Sequence, residues 1–496
     1  MADYDLAIIG GGINGTGLAR DAAGRRLRVL LVEQNDLASG TSSASSKLVH
    51  GGLRYLEHGA FRLVREALHE REVLLCMAPH VIRPLRIVLP PVPGLRSALL
   101  LRLGLFIYDH LGGRKLLPAT SYVDLTHHAV GQPLKRSLRY GFEFSDCQAD
   151  DARLVVLNAL DAAERGADIR TRTRCVRAER AAEWELVLNA RGRRQVATAR
   201  VLVNAAGPWI GEVADTVIRH PLPAPARLVK GSHIVVPRRF AHERGYLLQA
   251  ADGRVVFALP FAEEFTLIGT TDENFVGDVN APAPDADEIL YLCQTVNGYF
   301  REQITPDDVV WAFAGVRSLY DDHANKPEDV TRDYVLSLDA GDGQAPLLSV
   351  YGGKITTYRR LAETAMARLA PFLGTPPPWT AGSALPGGDF PVEGVDNLVT
   401  ETLRRWPFLA KAHARRLVRA YGRRVERVLK NAQSMDDLGP RFAGDLTGAE
   451  ARYLVETEWA FDAEDVLWRR SKLGLEATPE QVAALDAFIA ALRSAS

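Results

Sequence analysis

The chain has 496 residues, more than one hydrophobic core usually covers, which predicts two or three domains. Its formal net charge of −1 argues against a general nucleic-acid binder. The four cysteines, Cys76, Cys147, Cys175 and Cys293, are scattered without metal-ligand spacing, so the sequence predicts neither a disulfide framework nor a bound metal.

A glycine-rich turn follows the first predicted strand. Gly10, Gly12 and Gly15 fit the pattern G-x-G-x-x-G, a helix is predicted next, and a second apolar strand ends at Glu33. No acidic residue lies between Gly10 and Arg20, so the helix start offers N–H groups and a positive dipole end to a diphosphate. An acid at the end of the second strand is where such folds hold an adenosine ribose. The segment therefore predicts a Rossmann-like dinucleotide site.

Two helices are predicted further along the N-terminal part. Leucines and valines recur at helical spacing from Phe61 to Leu75. The leucine-rich stretch from Gly94 to Gly112 is too short and too charged to span a bilayer, but Arg96 and Arg102 beside leucines suit a helix lying in a membrane interface. A core helix is the alternative interpretation of that stretch.

The chain is predicted to return twice to the first sheet. Residues 200–204 form an apolar strand that opens into a small-residue turn at Gly207, and Leu347 to Tyr351 form another strand before Gly352. Three strand–glycine turns suit an extended FAD better than NAD, because FAD needs contacts along adenosine, pyrophosphate and flavin ring. A helix beginning near Ile355 would aim its N–H groups at the flavin N1 and C2 carbonyl region.

The remaining pattern divides the chain into domains. A helix is predicted from Val155 to Ala167, residues 220–320 alternate as an antiparallel sheet does, and the part after about residue 390 is helical. The predicted fold class is α/β, with a Rossmann-like FAD-binding domain, an antiparallel-sheet substrate domain and an all-helical C-terminal domain. The predicted boundaries are 1–80, 145–215 and 325–375 for the first, 81–144 and 216–324 for the second, and 388–496 for the third.

Basic residues lie beside the predicted turns, at Arg54, Arg317, Arg332 and Lys354. Several converging cations select a doubly charged phosphate ester over a neutral alcohol, since arginine binds phosphate through a planar fork. Surface ion pairing is the alternative for any single arginine. Arg317 and Lys354 each follow closely on a glycine that leaves space beside them, which favours the site.

A histidine is the first candidate for the base. His233 lies on a predicted strand and would accept a hydroxyl proton while hydride leaves the same carbon for flavin N5. A lone histidine is more often a core residue, and His50, Lys354 or a water polarised by arginine are alternatives for the same task.

Four segments together resemble one family. They are Ile9–Asp21, Gly40–Glu57, Tyr351–Arg359 and Ala463–Gly474, and they resemble the FAD-dependent glycerol-3-phosphate dehydrogenases. The match spans the chain. The second and fourth segments are far more specific than the glycine pattern, and the fourth lies in a helical domain that amino-acid oxidases of similar fold lack.

The resemblance implies oxidation of sn-glycerol 3-phosphate to dihydroxyacetone phosphate, with electrons passing from reduced FAD to a membrane quinone. It implies His233, Arg317 and Lys354 as catalytic residues, and places Arg54, Tyr55, Thr270 and Arg332 at the substrate. It implies FAD contacts from Gly10, Gly11, Gly12, Asn14, Gly15, Glu33, Gly40, Thr41, Ser42, Ser46, Leu48, His50, Ala206, Gly207, Gly353 and Thr356. Tyr55 and Thr270 rest on the resemblance alone.

We expect a cytoplasmic protein associated peripherally with the inner face of the cell membrane, without nucleic acid as a partner; homodimer formation is left open. From Leu403 to Lys430 ten basic residues stand against one acid, Glu426, a pattern that would suit anionic lipid but more often pairs with acids elsewhere. The alternatives are an oxidase that produces hydrogen peroxide, an amino-acid oxidase, and a flavin-fold RNA-binding protein.

Overall fold

The computed structural model describes residues 2–92, 97–321, 333–341, 343–374 and 376–494. Two sheets and a C-terminal group of helices make up this part of the chain, in the α/β class that the sequence predicts. The strands of the first sheet are Tyr4–Ile9, Val29–Val32, Asp168–Arg170, Thr173–Arg180, Trp184–Ala190, Arg193–Asn204, Val335–Asp339 and Leu347–Tyr351.

The centre of the first sheet is parallel and buried. Tyr4–Ile9 lies between Val29–Val32 and Arg193–Asn204, and Leu347–Tyr351 pairs with the far side of Arg193–Asn204, all in parallel. Val29–Val32 and Leu347–Tyr351 are buried at every position, as expected for strands covered on both faces. The carboxyl ends of the three glycine-linked strands therefore meet at one edge, as predicted.

The second sheet is almost wholly antiparallel. Its strands are Leu48–Val49, Ile82–Leu89, Ser121–Asp124, Tyr140–Ala149, Ala226–Pro237, Gly245–Gln249, Val255–Phe261, Phe265–Gly269, Glu273–Asn274 and Trp311–Tyr320. The long strand Ala226–Pro237 pairs with Trp311–Tyr320 and Phe265–Gly269. Tyr140–Ala149 belongs to this sheet throughout, so the boundary predicted at residue 145 falls inside one of its strands. The backbone on both sides of that point pairs without interruption with strand Ile82–Leu89.

The helices outside the C-terminal part are Ile13–Gly24, Phe61–Met77, Ala98–Leu111, Asp151–Glu164, Ile210–Glu212, Ala286–Asn297 and Tyr358–Leu373. Ile210–Glu212 and Ala286–Asn297 were not predicted, and the second lies within residues 220–320, where only an antiparallel sheet was expected. The helix predicted near Ile355 begins three residues later, and the one predicted from Val155 begins at Asp151, where the Asp150 side chain accepts a hydrogen bond from the Arg153 N–H at 3.2 Å. Within the described residues, no helix combines the length and the apolar character needed to cross a bilayer.

The C-terminal part has its own hydrophobic core. Its α-helices are Val395–Arg405, Lys411–Tyr421, Val425–Leu429, Gly448–Glu458 and Pro479–Ser494, with a π-helix at Asp465–Ser471. This π-helix docks on the first sheet: Arg470 Nη1 lies 2.8 Å from an Asp36 carboxylate oxygen, Arg469 Nε lies 2.6 Å from the same atom, and Arg172 Nη2 lies 2.8 Å from Asp465.

The basic stretch 403–430 is divided among short helices and is largely paired. Arg416 binds Glu450 at 2.6 Å, Arg424 binds Glu164 at 2.6 Å and Arg405 binds Glu426 at 3.0 Å. Because acids outside the stretch take up much of its charge, these arginines serve mainly the internal packing of the C-terminal part and its attachment to the first domain.

Candidate active site

Three backbone turns come together at the carboxyl edge of the first sheet. Gly10 has φ +118°, and a Cβ added there would lie 2.4 Å from the Ala205 carbonyl oxygen. The Asn14 amide donates a hydrogen bond to the Gly352 carbonyl at 2.9 Å. A side chain at Gly353 would lie 2.8 Å from the same amide nitrogen. The three turns are therefore in direct contact, and glycine is the residue that fits between them.

A cavity of about 370 Å³ runs from these turns to the second sheet. Its lining includes Gly10, Gly12, Asn14, Glu33, Gly40, Thr41, Ser42, Ser46, Leu48, His50, Arg54, Tyr55, Ala206, Gly207, Thr270, Arg317, Gly353, Lys354 and Thr356, all predicted from the sequence. Gly11 and Gly15 are not in that lining: Gly15 permits close approach of the Gly10 backbone, and Gly11 that of the Glu33 and Leu37 side chains. Arg332 lies outside the described residues.

One end of the cavity suits the diphosphate and ribose of a dinucleotide. Helix Ile13–Gly24 starts here without an acid in its first turn, and a Cβ at Gly12 would lie 3.0 Å from Ser42 Oγ. Glu33 accepts the Gly11 N–H at 2.7 Å and the Asn35 N–H at 2.8 Å, which leaves lone pairs on both carboxylate oxygens for ribose hydroxyls. Burial raises the pKa of the Glu33 carboxyl. These residues fit an adenosine diphosphate group.

The serine-rich loop 40–47 is held by a buried ion pair that the sequence did not reveal. Lys47 Nζ lies 2.8 Å from an Asp151 carboxylate oxygen, and both side chains are almost fully buried. Lys47 Nζ also donates to the Ser43 carbonyl at 2.8 Å, and Ser45 Oγ donates to Asp151 at 2.8 Å. Since this loop has few apolar side chains, its position along the cavity depends on Asp151.

The next loop is anchored in the same way. The Gly51 N–H donates to Tyr108 Oη at 2.8 Å, Tyr108 Oη donates to Asp146 at 2.7 Å, and Arg71 Nη1 donates to the same Asp146 oxygen at 2.7 Å. Burial raises the pKa of Tyr108 well above its usual range, so its hydroxyl stays protonated as a donor. The network fixes the backbone on which His50, Arg54 and Tyr55 stand.

Cationic side chains gather at the other end of the cavity. Lys354 Nζ lies 3.7 Å from the centre of the Tyr55 ring, and Arg317 Nη1 donates to Asp272 at 3.1 Å. A Cβ at Gly231 would lie 2.7 Å from Thr270 Oγ1 and 2.9 Å from Arg317 Nη2, so this glycine makes the space in which both groups lie. Asp272 and Gly231 carry no local motif, and sequence reasoning missed both.

His233 is not part of the cavity lining among the described residues, and its expected contact with the substrate stays a prediction. Its side chain is 1% exposed and stacks on Phe313 with the ring centres 5.0 Å apart. Its Nε2 is 2.8 Å from Ser46 Oγ, and it is Ser46 that lines the cavity. A side chain at Gly269 would lie 2.1 Å from the His233 ring, so the neighbouring strand closes over it. Burial lowers the pKa of His233 well below its usual range, so the ring is neutral.

His50, by contrast, lines the cavity and is half-buried. Its backbone N–H donates to Thr356 Oγ1 at 3.2 Å, which joins the loop to the turn that carries Lys354. Burial, with Lys354, Arg71 and Arg317 nearby, lowers the pKa of His50 although Asp146 opposes the shift. A neutral imidazole therefore faces the cavity at neutral pH.

Known proteins share this architecture. The FAD-dependent oxidoreductase family matches residues 5–359, and the C-terminal domain of alpha-glycerophosphate oxidase matches residues 379–495. A glycerol-3-phosphate dehydrogenase of Pseudomonas aeruginosa is 52% identical over 98% of this chain and 95% of its own. The chain belongs to the FAD-dependent glycerol-3-phosphate dehydrogenase family.

Two further proteins are similar to this chain over nearly its whole length. A D-erythritol 1-phosphate dehydrogenase of Brucella abortus is 50% identical, over 97% of this chain and 96% of its own. The crystal structure of a glycerol-3-phosphate dehydrogenase from Bacillus halodurans, complexed with FAD, is 26% identical with a TM-score of 0.75, covering 99% of this chain and 94% of that one. The protein is thus an FAD-dependent oxidoreductase with the cofactor that its three turns predict. The contact of each predicted residue with FAD or substrate stays a prediction.

We expect Gly15→Ala to lower the FAD affinity by about tenfold or more, because the new Cβ would lie 2.0 Å from the Gly10 carbonyl oxygen and force the helix away from the turn. Flavin released per chain, measured by absorbance, reports the loss. Gly211→Ala is the matched control, since a Cβ there meets nothing within 4 Å. Full flavin content in Gly15→Ala protein of native circular dichroism would contradict the assignment.

Proposed function

We propose that the protein oxidises the C2 hydroxyl of sn-glycerol 3-phosphate to the ketone of dihydroxyacetone phosphate and passes the electrons to a membrane quinone. We infer the substrate class from the group of cations at one end of the cavity, because the other end suits FAD. Arg54, Arg317 and Lys354 contribute three positive charges and Asp272 one negative charge, a sum of +2, since Asp146 in the same lining is neutralised by Arg71. That sum matches a phosphate monoester dianion better than a single carboxylate.

The roles of the residues follow from their placement. Arg317 and Lys354 hold the phosphate, with Thr270 offering a hydroxyl beside Arg317. Asp272 accepts a hydrogen bond from Arg317 Nη1 at 3.1 Å and keeps the guanidinium oriented. Bound FAD supplies the hydride acceptor.

His50 is the residue that we propose as acceptor of the C2 hydroxyl proton. It faces the cavity, whereas His233 is separated from the cavity by Ser46. Its lowered pKa keeps the imidazole neutral and able to take a proton at neutral pH. His233 then acts on Ser46, which it holds at the edge of the cavity.

Adding sn-glycerol 3-phosphate to the oxidised holoenzyme without oxygen should bleach the flavin absorbance, and a quinone should restore it. D-Erythritol 1-phosphate, tested in parallel, shows whether the longer polyol phosphate is also accepted. Quinone reduction in air with little hydrogen peroxide supports the dehydrogenase, and stoichiometric peroxide supports the oxidase. A flavin that no phosphorylated polyol bleaches would exclude the proposed function.

We expect Arg317→Ala to raise KM for sn-glycerol 3-phosphate about 10- to 100-fold, because it removes charge-assisted hydrogen bonds and leaves Asp272 facing the phosphate. Steady-state kinetics give KM, and the flavin content should stay unchanged. Arg317→Lys is the matched control and should recover part of the affinity. An unaltered KM in Arg317→Ala would place the phosphate elsewhere.

The pH dependence distinguishes the two histidines. As pH rises through the lowered pKa of His50 the imidazole becomes neutral, so kcat/KM should rise along an acid limb whose midpoint lies below about 6.5. His50→Asn should remove that limb and lower kcat by about 10²- to 10⁴-fold, whereas His233→Asn should keep the limb. The opposite result in the two variants would return the role to His233.

An exposed apolar helix face supports peripheral membrane contact. Helix Ala98–Leu111 buries Leu101, Leu105 and Tyr108 against the protein. Its outer face presents Leu99 at 79%, Leu103 at 55% and Phe106 at 59% exposure, which is unusual for a helix in water. These three side chains share one face because they are spaced by four and three residues. Arg102 is exposed on the same helix and suits anionic lipid headgroups.

Replacing that face should release the protein from lipid. We expect Leu99→Gln/Leu103→Gln/Phe106→Gln to lower partition onto anionic vesicles roughly 100-fold, because each side chain loses its burial in the interface. Sedimentation with vesicles measures the partition. The matched control is Val196→Gln/Val276→Gln/Leu290→Gln, which changes three exposed apolar residues elsewhere. Equal sedimentation of both triple variants would refute membrane contact through this helix.

A further inference from the structure

A second cavity, of about 500 Å³, lies away from the active site at the turn between strands Ser121–Asp124 and Tyr140–Ala149. The charged and titratable side chains in its lining are His127, His128, Lys135, Arg136, Arg139 and Arg301. No carboxylate belongs to this lining within the part of the chain that the structure describes. The cavity is therefore a concave surface whose charged side chains are basic.

The cations of this cavity differ from most others in the molecule. In the stretch 403–430 the arginines Arg405, Arg416 and Arg424 are each neutralised by a carboxylate. Among the described residues, Lys135, Arg136, Arg139 and Arg301 make no ion pair. The absence of acidic partners close in the sequence follows from residues 125–142, which contain no Asp or Glu.

The acid at the rim is already engaged. Asp124 accepts hydrogen bonds from the Thr126 N–H at 2.9 Å and Thr126 Oγ1 at 2.6 Å, and lies 2.8 Å from His127 Nδ1. These contacts hold the turn in shape. Arg136 and Arg139 are exposed and Lys135 is half-buried, and no carboxylate of the described residues pairs with these three side chains.

The wall of the cavity is firmly built even though its cations are exposed. The Lys135 N–H donates to the Tyr299 carbonyl at 2.8 Å and the Arg301 N–H donates to the Pro133 carbonyl at 2.9 Å. Arg301 Nε donates to the Leu134 carbonyl at 2.6 Å, which orients its guanidinium and leaves the remaining N–H groups available. Two separate segments are thus fixed side by side, which brings their charges together before any ligand binds.

We propose that this cavity binds a phosphate-bearing anion of at least two charges. Several guanidinium groups on a concave, carboxylate-free surface match multidentate phosphate oxygens, and the field of converging cations favours a multivalent ligand over chloride. The ligand is a soluble phosphate compound or a multivalent lipid headgroup. A lipid headgroup is included because the cavity is joined to the apolar helix Ala98–Leu111. Asp109 of that helix accepts a hydrogen bond at 2.7 Å from the N–H of Thr120, which directly precedes strand Ser121–Asp124.

Inorganic pyrophosphate is the first probe, titrated by calorimetry into the full-length holoenzyme at low ionic strength. Arg136→Gln/Arg139→Gln removes two exposed cations of the cavity and should weaken binding by at least about tenfold, since each lost charge-assisted contact contributes to affinity. Arg193→Gln/Arg194→Gln is the control with the same charge change at an exposed hairpin. Pyrophosphate bound at the substrate cavity contributes equally to all three proteins.

Vesicles of phosphatidylcholine with cardiolipin, whose headgroup carries two phosphates, form the second arm. Weakened pyrophosphate binding with unchanged sedimentation assigns the cavity to soluble phosphate compounds, and weakening of both adds the lipid headgroup. Equal pyrophosphate affinity in the wild-type protein and Arg136→Gln/Arg139→Gln overturns the proposal, as does the same weakening in the control variant. Turnover of sn-glycerol 3-phosphate does not enter either readout, so the outcome is independent of the proposed function.

Discussion

Buried ion pairs behind the cavity are the constraint on which the rest of the site depends. Lys47 with Asp151, Arg71 with Asp146, and Arg470 with Asp36 each stand behind a loop rich in glycine, serine or polar residues. Such pairs add little stability over an apolar core, but removing one partner leaves an uncompensated buried charge and costs about 3–5 kcal/mol. They set the positions of loops that apolar packing alone would leave underdetermined.

One long strand of the second sheet, Ala226–Pro237, carries both a buried histidine and a glycine that makes space for cationic side chains. At one register Gly269 stands opposite His233 on the adjacent strand, and the missing side chain lets the imidazole lie flat against Phe313. Two residues earlier on the same strand, Gly231 leaves room for Thr270 and Arg317. Since residues two apart on a strand share a face of the sheet, one face of this long strand carries both the buried histidine and the anion pocket.

Local patterns account for what the sequence predicted well. The G-x-G-x-x-G turn, the two returns to the parallel sheet and the helical C-terminal part each depend on short-range spacing. The burial of His233, the pairing of Arg317 with Asp272 and the anchoring of Lys47 by Asp151 depend on contacts between distant segments, which spacing does not encode. The start of the helix at Tyr358 was missed because Thr356 and Thr357 remain in the turn, where Thr356 Oγ1 accepts the His50 N–H.

The ion pairs of Asp36 join segments of the chain that are synthesised at different times. Its partners Arg469 and Arg470 stand 433 and 434 positions later in the chain. During synthesis on the ribosome the glycine turn emerges early, yet the loop beside it gains its counter-charges only when almost the whole polypeptide has been made. The loop that carries Asp36 therefore reaches its fully paired arrangement only after the C-terminal part has been synthesised.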